Sequence, residues 1–215
     1  MKVEKDLPEV VGCNDLLLRI ARHLTIHTSF IPDLGLYHGK MGIVLFFAHY
    51  SRYTGNPLYH EFAEELLDEV CEEIHTGLPV NFEYGLCGIG WGIEYLLQNG
   101  FMEGDSDEIL AELDIQVMER DLRRITDRSM RTGLEGISCY INKRVNSPFR
   151  KSEKLLFDDT YLTDWKSVAS SIAITDDNTV LDAIVNTLPE GEDVTCWKLG
   201  LENGCAGVGL NKIRR

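Results

Sequence analysis

A glycine-rich octet occurs four times in this chain of 215 residues, and its repetition constrains the fold more than any other feature. The copies are GLYHGKMG (35–42), GLCGIGWG (85–92), GLEGISCY (133–140) and GLENGCAG (200–207). Their starts lie 50, 48 and 67 residues apart. Repeats of this length are typical of stacked helical hairpins, in which no single hairpin buries its apolar helix alone. The repeat therefore predicts an all-α array of helical hairpins that forms a single domain over residues 1–215.

Apolar residues recur at helical spacing before and after the octets. Segments that follow an octet are apolar on nearly all sides, whereas the segments before it carry one apolar stripe and many acids, which predicts alternating inner and outer helices. We expect helices at about Asn14 to His27, Ile43 to Ser51, Pro57 to His75 and Trp91 to Gln98. A further charged helix is expected to start at the cap Ser106 and to bury Ile115, Met118, Leu122 and Ile125.

The longer interval before the fourth octet has a weaker pattern. Residues 155–162 and 179–188 are expected to be helical, although neither segment is strongly periodic. The interval is expected to hold an inserted loop or a hairpin that has lost its octet.

The charge balance argues against several classes of partner. The chain has 21 basic and 35 acidic residues, a net charge of −14 that repels nucleic-acid phosphates and anionic lipid. We expect no nucleic-acid partner, and a peptide or a neutral or basic protein instead. No apolar run approaches the roughly 20 residues of a membrane span, and no secretory signal pattern is present. Six scattered cysteines without a CxxC pair favour reduced thiols and a cytoplasmic protein.

The octet glycines predict both the shape of the chain and the place of a site. They are expected to permit sharp turns with φ > 0 and tight packing at the start of each inner helix. Because the hairpins stack, the octets lie at one end of the array, and side chains at equivalent places face one central mouth. The third place is held by Tyr37, Cys87, Glu135 and Glu202, and the fourth by His38, Gly88, Gly136 and Asn203.

Repeated GLxxGxxG octets that lead into apolar inner helices resemble those of the lanthionine synthetase C-like (LanC-like) family. The resemblance covers about residues 12–145, and LGLENGCAGVGL at 199–210 is its most family-like part. It implies an α/α toroid of inner and outer helical rings. Since the chain offers about four hairpins and stops at Arg215, it is identified as a short or partial member with an incomplete ring. We expect it to associate with a second copy, as a homodimer, or with a partner, unless segment 146–193 closes the gap.

The resemblance also implies a zinc site. Cyclases of the family hold zinc with a cysteine of one octet and an adjacent Cys-His pair of another, and the metal activates a peptide cysteine for addition to a dehydrated Ser or Thr. Only Cys87 and His38 match those places here, so they are the metal-ligand candidates, and His38 is also the catalytic candidate. Two protein ligands are one fewer than a catalytic zinc usually has. Glu135 or Glu202 is the candidate third ligand.

Each of these residues also has a purely structural interpretation. His38 can be a hydrogen-bonded turn histidine, and Cys87 a small thiol packed in a glycine turn. As candidate binding residues of the mouth we take Tyr37, Glu135, Glu202 and Asn203.

Three functions remain open at this level. The first is a LanC-like protein that binds a peptide in a peptide-modification pathway without an intact zinc site. The second is an active zinc-dependent enzyme of thiol addition that uses His38 and Cys87. The third is an α/α-barrel enzyme acting on glycans, with Trp91, Tyr95 and Glu94 in its throat. Whether the protein is an enzyme is left open by the residues alone.

Overall fold

The computed structural model describes residues 7–151, 157–170, 172, 176–187, 189–191 and 193–215, with side chains from residue 15 onward. Within these ranges the chain is helical and has no strand, so the prediction of an all-α fold is confirmed. The helices are α1 (Leu7–His27), α2 (Lys40–Thr54), α3 (Pro57–Glu72), α4 (Leu86–Gln98), α5 (Ser106–Ile109), α6 (Ala111–Met118), α7 (Leu134–Val145), α8 (Asp159–Ala169), α9 (Asp177–Val185) and α10 (Cys205–Arg214). None of these helices has the length and apolar character needed to cross a membrane.

Four inner helices start at the octets and form the core. They neighbour one another in the spatial order α10, α2, α4, α7. Every residue of α4 from Leu86 to Leu97 is buried. The outer helices cover them: α3 packs against α2, α6 against α4, and α1 against α10. The predicted alternation of inner and outer helices is therefore present.

The amphipathic character of α3 explains its outer position. It buries Ala63, Leu66, Leu67 and Val70 on one side, while its acids face solvent. Asn56 caps the helix by accepting a hydrogen bond from the Leu58 N–H, and Pro57 occupies the first helical position, where it sacrifices no hydrogen bond.

The long interval before the fourth octet contains two further helices. α8 packs against α7, and α9 packs against α10. An ion pair between Lys143 of α7 and Asp177 of α9 adds a link between these helices. The expectation of helices at 155–162 and 179–188 is thus met in part, because α8 begins at Asp159 and α9 ends at Val185. Residues 155, 156 and 188 lie outside the described residues.

Inner-helix surface is not left uncovered in the part of the chain that the structure describes. The large apolar side chains exposed there lie mainly on outer elements and loops, as Phe30, Leu58 and Ile115 do. Among the inner helices, only α2 carries one, Tyr53 in its last turn. The uncovered apolar surface that was expected to drive association is therefore not found on the described inner helices. Both the homodimer and the incomplete ring stay predictions.

The charged helix predicted to start at Ser106 differs from the expectation. Asp105, not Ser106, is the cap, and the helix breaks at Leu110 into α5 and α6. The break changes the buried face, which comprises Leu110, Leu113 and Val117. Ile115, predicted to be buried, is 52% exposed.

Close approach of backbone segments, rather than positive φ, explains the octet glycines. The described glycines with positive φ are Gly55, Gly100 and Gly191, and none of them belongs to an octet. A Cβ atom on Gly88 would lie 2.0 Å from the carbonyl oxygen of Phe82. The expectation of φ > 0 was therefore wrong, and the expectation of tight packing is confirmed. The same packing lets the octet form the first turn of α4, which starts at Leu86 instead of Trp91.

A buried ion-pair network joins α7 to three other helices. The guanidinium of Arg144, which is 1% exposed, lies 2.9 Å from carboxylate oxygens of Asp114 and Asp107. It also lies 3.5 Å from Glu94 of α4. One buried cation therefore compensates carboxylates on α4, α5 and α6.

We predict that Arg144→Met destabilises the protein by about 3–5 kcal/mol, because removing one partner of a buried ion pair leaves uncompensated charge. Arg214→Met is the matched control, since its partner Asp182 is 58% exposed and such surface pairs contribute about 0–1 kcal/mol. Urea unfolding measures both free energies. Equal losses in the two variants would contradict a structural role for the network.

Candidate functional site

The start of each inner helix sets a structural register for the repeats. The capping residues are Gly39, Gly85, Gly133 and Gly204. In every repeat, the N–H that follows the capping glycine donates to the carbonyl seven residues earlier, as Lys40 does to Asp33 and Leu86 to Pro79. The capping glycine is the fifth residue of the first and fourth octets but the first residue of the second and third. If the octets are aligned on Gly-Leu, the first and fourth are therefore four residues out of register with the second and third.

In this register, the residues two before the capping glycines are equivalent. They are Tyr37, Glu83, Arg131 and Glu202. Backbone hydrogen bonds join them: the N–H of Glu202 donates to the Tyr37 carbonyl at 3.0 Å, that of Tyr37 to Glu83 at 3.0 Å, and that of Glu83 to Arg131 at 2.9 Å. The four turns are thus connected in the order fourth, first, second, third, and His38 extends from the first turn beside them. We call Tyr37, His38, Glu83, Arg131 and Glu202 the octet cluster.

Two carboxylates, an imidazole and a guanidinium meet at the centre of the octet cluster. His38 Nε2 lies 3.2 Å from Glu83 Oε1 and 3.4 Å from Glu202 Oε2. Arg131 approaches the same two oxygens: its NH2 group lies 3.3 Å from Glu83 Oε1 and donates a hydrogen bond to Glu202 Oε2. These side chains are partly exposed, from 17% for Glu83 to 42% for Arg131, so a ligand can reach them.

Tyr37 forms the floor of the cluster. Its ring is 6% exposed, and the guanidinium carbon of Arg131 lies 5.0 Å from the ring centroid, within cation–π range. Burial, opposed by the charge of Arg131, raises the pKa of Tyr37 to about 12. Tyr37 is therefore a neutral phenol at physiological pH, and its ring forms the floor of the octet cluster.

Three ligand atoms of the octet cluster converge as a metal site requires. Over the described residues, the group of three or more His, Cys, Asp or Glu side chains with ligand atoms within 4.8 Å of one another is His38, Glu83 and Glu202. This set differs from the one that the resemblance implies, because it contains no thiolate. Moreover, Arg131 already pairs with both carboxylates. The residues do not fit a zinc ion while that guanidinium is in place.

The structure brings together three of the residues predicted for the site, His38, Tyr37 and Glu202. Cys87 does not join them: it is equivalent to Met41 and fully buried near Asp114, where burial first and then the Asp114 charge raise the pKa of its thiol. The pairing of Cys87 with His38 as metal ligands therefore has no support in this arrangement.

Glu135 and Asn203 also lie outside the centre of the cluster. In the structural register Glu135 is equivalent to Cys87, and it belongs to the first turn of α7. Asn203 is equivalent to His38 and adopts φ 52°. Its backbone N–H donates to Thr187 Oγ1 at 2.8 Å, which places it beside the octet cluster without a described contact to the carboxylates.

Sequence reasoning missed Glu83 and Arg131, although a signal for them exists. Glu83-Tyr84-Gly85 and Arg131-Thr132-Gly133 parallel Tyr37-His38-Gly39 and Glu202-Asn203-Gly204. An alignment on the glycine that precedes each apolar helix would have placed all four residues in one column.

The residues proposed for a glycan-active throat belong to the core. Glu94 is fully buried and accepts a hydrogen bond from Gln98 Nε2 at 3.1 Å. Trp91 is also fully buried and packs between Phe82 and Tyr95. A buried, paired carboxylate is poorly placed for acid–base chemistry on a sugar.

We predict that Cys87 resists alkylation in the folded protein, because its thiol is buried and its raised pKa suppresses the thiolate. Exposed Cys196 provides the matched control and should be modified under the same conditions. Peptide mapping after N-ethylmaleimide treatment, with and without urea, measures both sites. Rapid native labelling of Cys87 would contradict the burial described.

The family model of lanthionine synthetase C-like proteins matches residues 31–195. This range holds the first three octets and the segment with α8 and α9, and it ends before the fourth octet. No curated protein matches the sequence. The family is a group of helical toroids linked to peptide modification, in agreement with the all-α repeats and the octet turns described above. The chain therefore belongs to the lanthionine synthetase C-like family.

Proposed function

We propose that this protein binds a peptide in a peptide-modification pathway, that the octet cluster is the contact site, and that no zinc takes part. The observation that carries the proposal is the pairing of Arg131 with both Glu83 and Glu202. The places where family cyclases need thiolates and a metal here hold an ion-pair cluster. Such a cluster can orient a ligand by hydrogen bonds and charge, but it offers no group that would activate a thiol as zinc does.

The charges of the cluster indicate which peptides fit. Two carboxylates face one guanidinium, so the carboxylates of the cluster outnumber its guanidinium by one. The net charge of −14 for the whole chain has the same sign as the carboxylates. Electrostatic attraction therefore favours a peptide that carries Lys or Arg beside the residue that is modified. Tyr84, next to Glu83 and 42% exposed, adds an aromatic contact at the edge of the site.

A zinc-dependent enzyme of thiol addition is the second candidate. The observation in its favour is the convergence of His38, Glu83 and Glu202 ligand atoms within 4.8 Å. Zinc binding at these three residues would require Arg131 to break its ion pairs with both carboxylates. Two of the ligand atoms would then be oxygens, which are harder ligands than the expected thiolates. The two candidates differ in one measurable respect, which is the dependence of binding on a metal.

We predict that the protein binds an acetylated, amidated peptide with Lys residues on either side of Cys and Ser about tenfold more tightly than the same peptide with Glu, since two surface charge contacts contribute roughly 1–2 kcal/mol. Calorimetry measures the affinities, and a chelator should leave them unchanged. Glu83→Gln/Glu202→Gln should remove the preference.

The matched control is Glu64→Gln/Glu65→Gln on α3, which changes the net charge equally but lies on the outer helix. This variant should retain the preference for the Lys peptide. Loss of binding on addition of chelator would support the enzyme candidate, and absence of binding to either peptide would refute the proposed function.

A further inference from the structure

We infer that Arg131 is the resident cation of the octet cluster and keeps divalent metal ions off His38, Glu83 and Glu202. The protein would thus hold a three-ligand metal site that a single side chain closes. The inference concerns the same cluster as the proposed function, but it does not require that the cluster bind a peptide.

The three ligands come from separate parts of the chain that the fold brings together. His38 belongs to the first octet turn, Glu83 to the turn before α4, and Glu202 to the fourth octet. Their ligand atoms lie within 4.8 Å of one another. Three protein ligands with one open position is the number found in catalytic zinc sites, where each ligand atom lies about 2.0–2.2 Å from the metal. Small side-chain rotations would bring these atoms onto one ion.

Arg131 uses the oxygens that a metal would need. Glu83 Oε1 and Glu202 Oε2 are the atoms nearest His38 Nε2, at 3.2 and 3.4 Å. The NH2 group of Arg131 contacts these same two oxygens. The guanidinium and a metal ion at this place would therefore compete for the same two carboxylate oxygens.

The charges lead to the same conclusion. The two carboxylates supply two negative charges, and Arg131 neutralises one of them. A divalent ion added beside the guanidinium would give three positive charges against two negative ones, with the cations in mutual repulsion. Without Arg131, the divalent ion and the carboxylates would balance. The guanidinium therefore opposes metal binding by charge as well as by occupancy.

Arg131 is anchored at both ends. Its carbonyl accepts hydrogen bonds from the N–H groups of Phe82 and Glu83 at 3.0 and 2.9 Å. Its guanidinium lies 5.0 Å from the centroid of the buried Tyr37 ring. A planar guanidinium can bridge two carboxylates in a way that a lysine ammonium cannot, which explains why an arginine suits this position. We therefore expect the Arg131 side chain to remain in contact with the two carboxylates when metal ions are present.

The test measures zinc per chain after incubation with zinc chloride and desalting, and it uses Co²⁺ absorption as an independent report of ligation. Wild type, Arg131→Lys and the control Arg124→Met should hold no more zinc than a buffer blank. Arg124 is 87% exposed, so its substitution removes the same charge outside the cluster. Arg131→Met should hold about one zinc per chain, and Arg131→Met/His38→Ala should lose it.

Stoichiometric zinc in the wild type would overturn the inference, and so would a folded Arg131→Met that binds none. Equal zinc in Arg131→Lys and Arg131→Met would also overturn it, because the charge would then have no excluding effect. Circular dichroism and thermal unfolding establish that each variant is folded. If Arg131→Met does not fold, Arg131→Gln is tested in the same way. Peptide binding is not part of this assay, so failure here is distinguishable from failure of the proposed function.

Discussion

The close backbone contact between neighbouring octet turns is the constraint on which the rest of the structure depends. Each inner helix starts where its capping glycine meets the chain six residues earlier, as Gly85 meets Pro79. Neighbouring turns lie equally close, since a Cβ atom at Gly35 would lie 2.2 Å from the Cα atom of Tyr84. Hydrogen bonds such as that from Tyr37 to Glu83 then join one turn to the next. Because the turns are joined, the inner helices begin at a common level, and their outer partners can cover them.

The same contact decides which side chains can act together. Residues two before each capping glycine are carried to one place by the joined turns, whatever their chemistry. In this chain they are an aromatic residue, two acids and an arginine, and His38 joins them from the next position. Burial distinguishes two of the ion-pair clusters of the protein. Arg144 with its carboxylates stabilises the core, whereas Arg131 with Glu83 and Glu202 stays within reach of ligands.

Membership of the lanthionine synthetase C-like family explains the fold, and the octet cluster indicates how this chain differs from the cyclases of that family. The octet cluster contains no cysteine, and the Arg131 guanidinium pairs with its two carboxylates. In the proposed function, a site of this composition binds a charged peptide by electrostatic complementarity and without a metal. The difference arises at single positions of the repeat, so the toroid-like array of helices is retained while the chemistry at its mouth changes.

By itself, the sequence determined the all-α fold, the alternation of inner and outer helices and the place of the octets, since these follow from hydrophobic periodicity and repeated glycines. It also indicated His38, Tyr37 and Glu202. The tertiary structure decided the register: Gly-Leu occurs at two different places of the turn, and the backbone hydrogen bonds identify the glycine that caps each inner helix. That offset of four residues removed Cys87 from the site and brought in Glu83 and Arg131, because ligand convergence is a property of packed turns and not of local sequence.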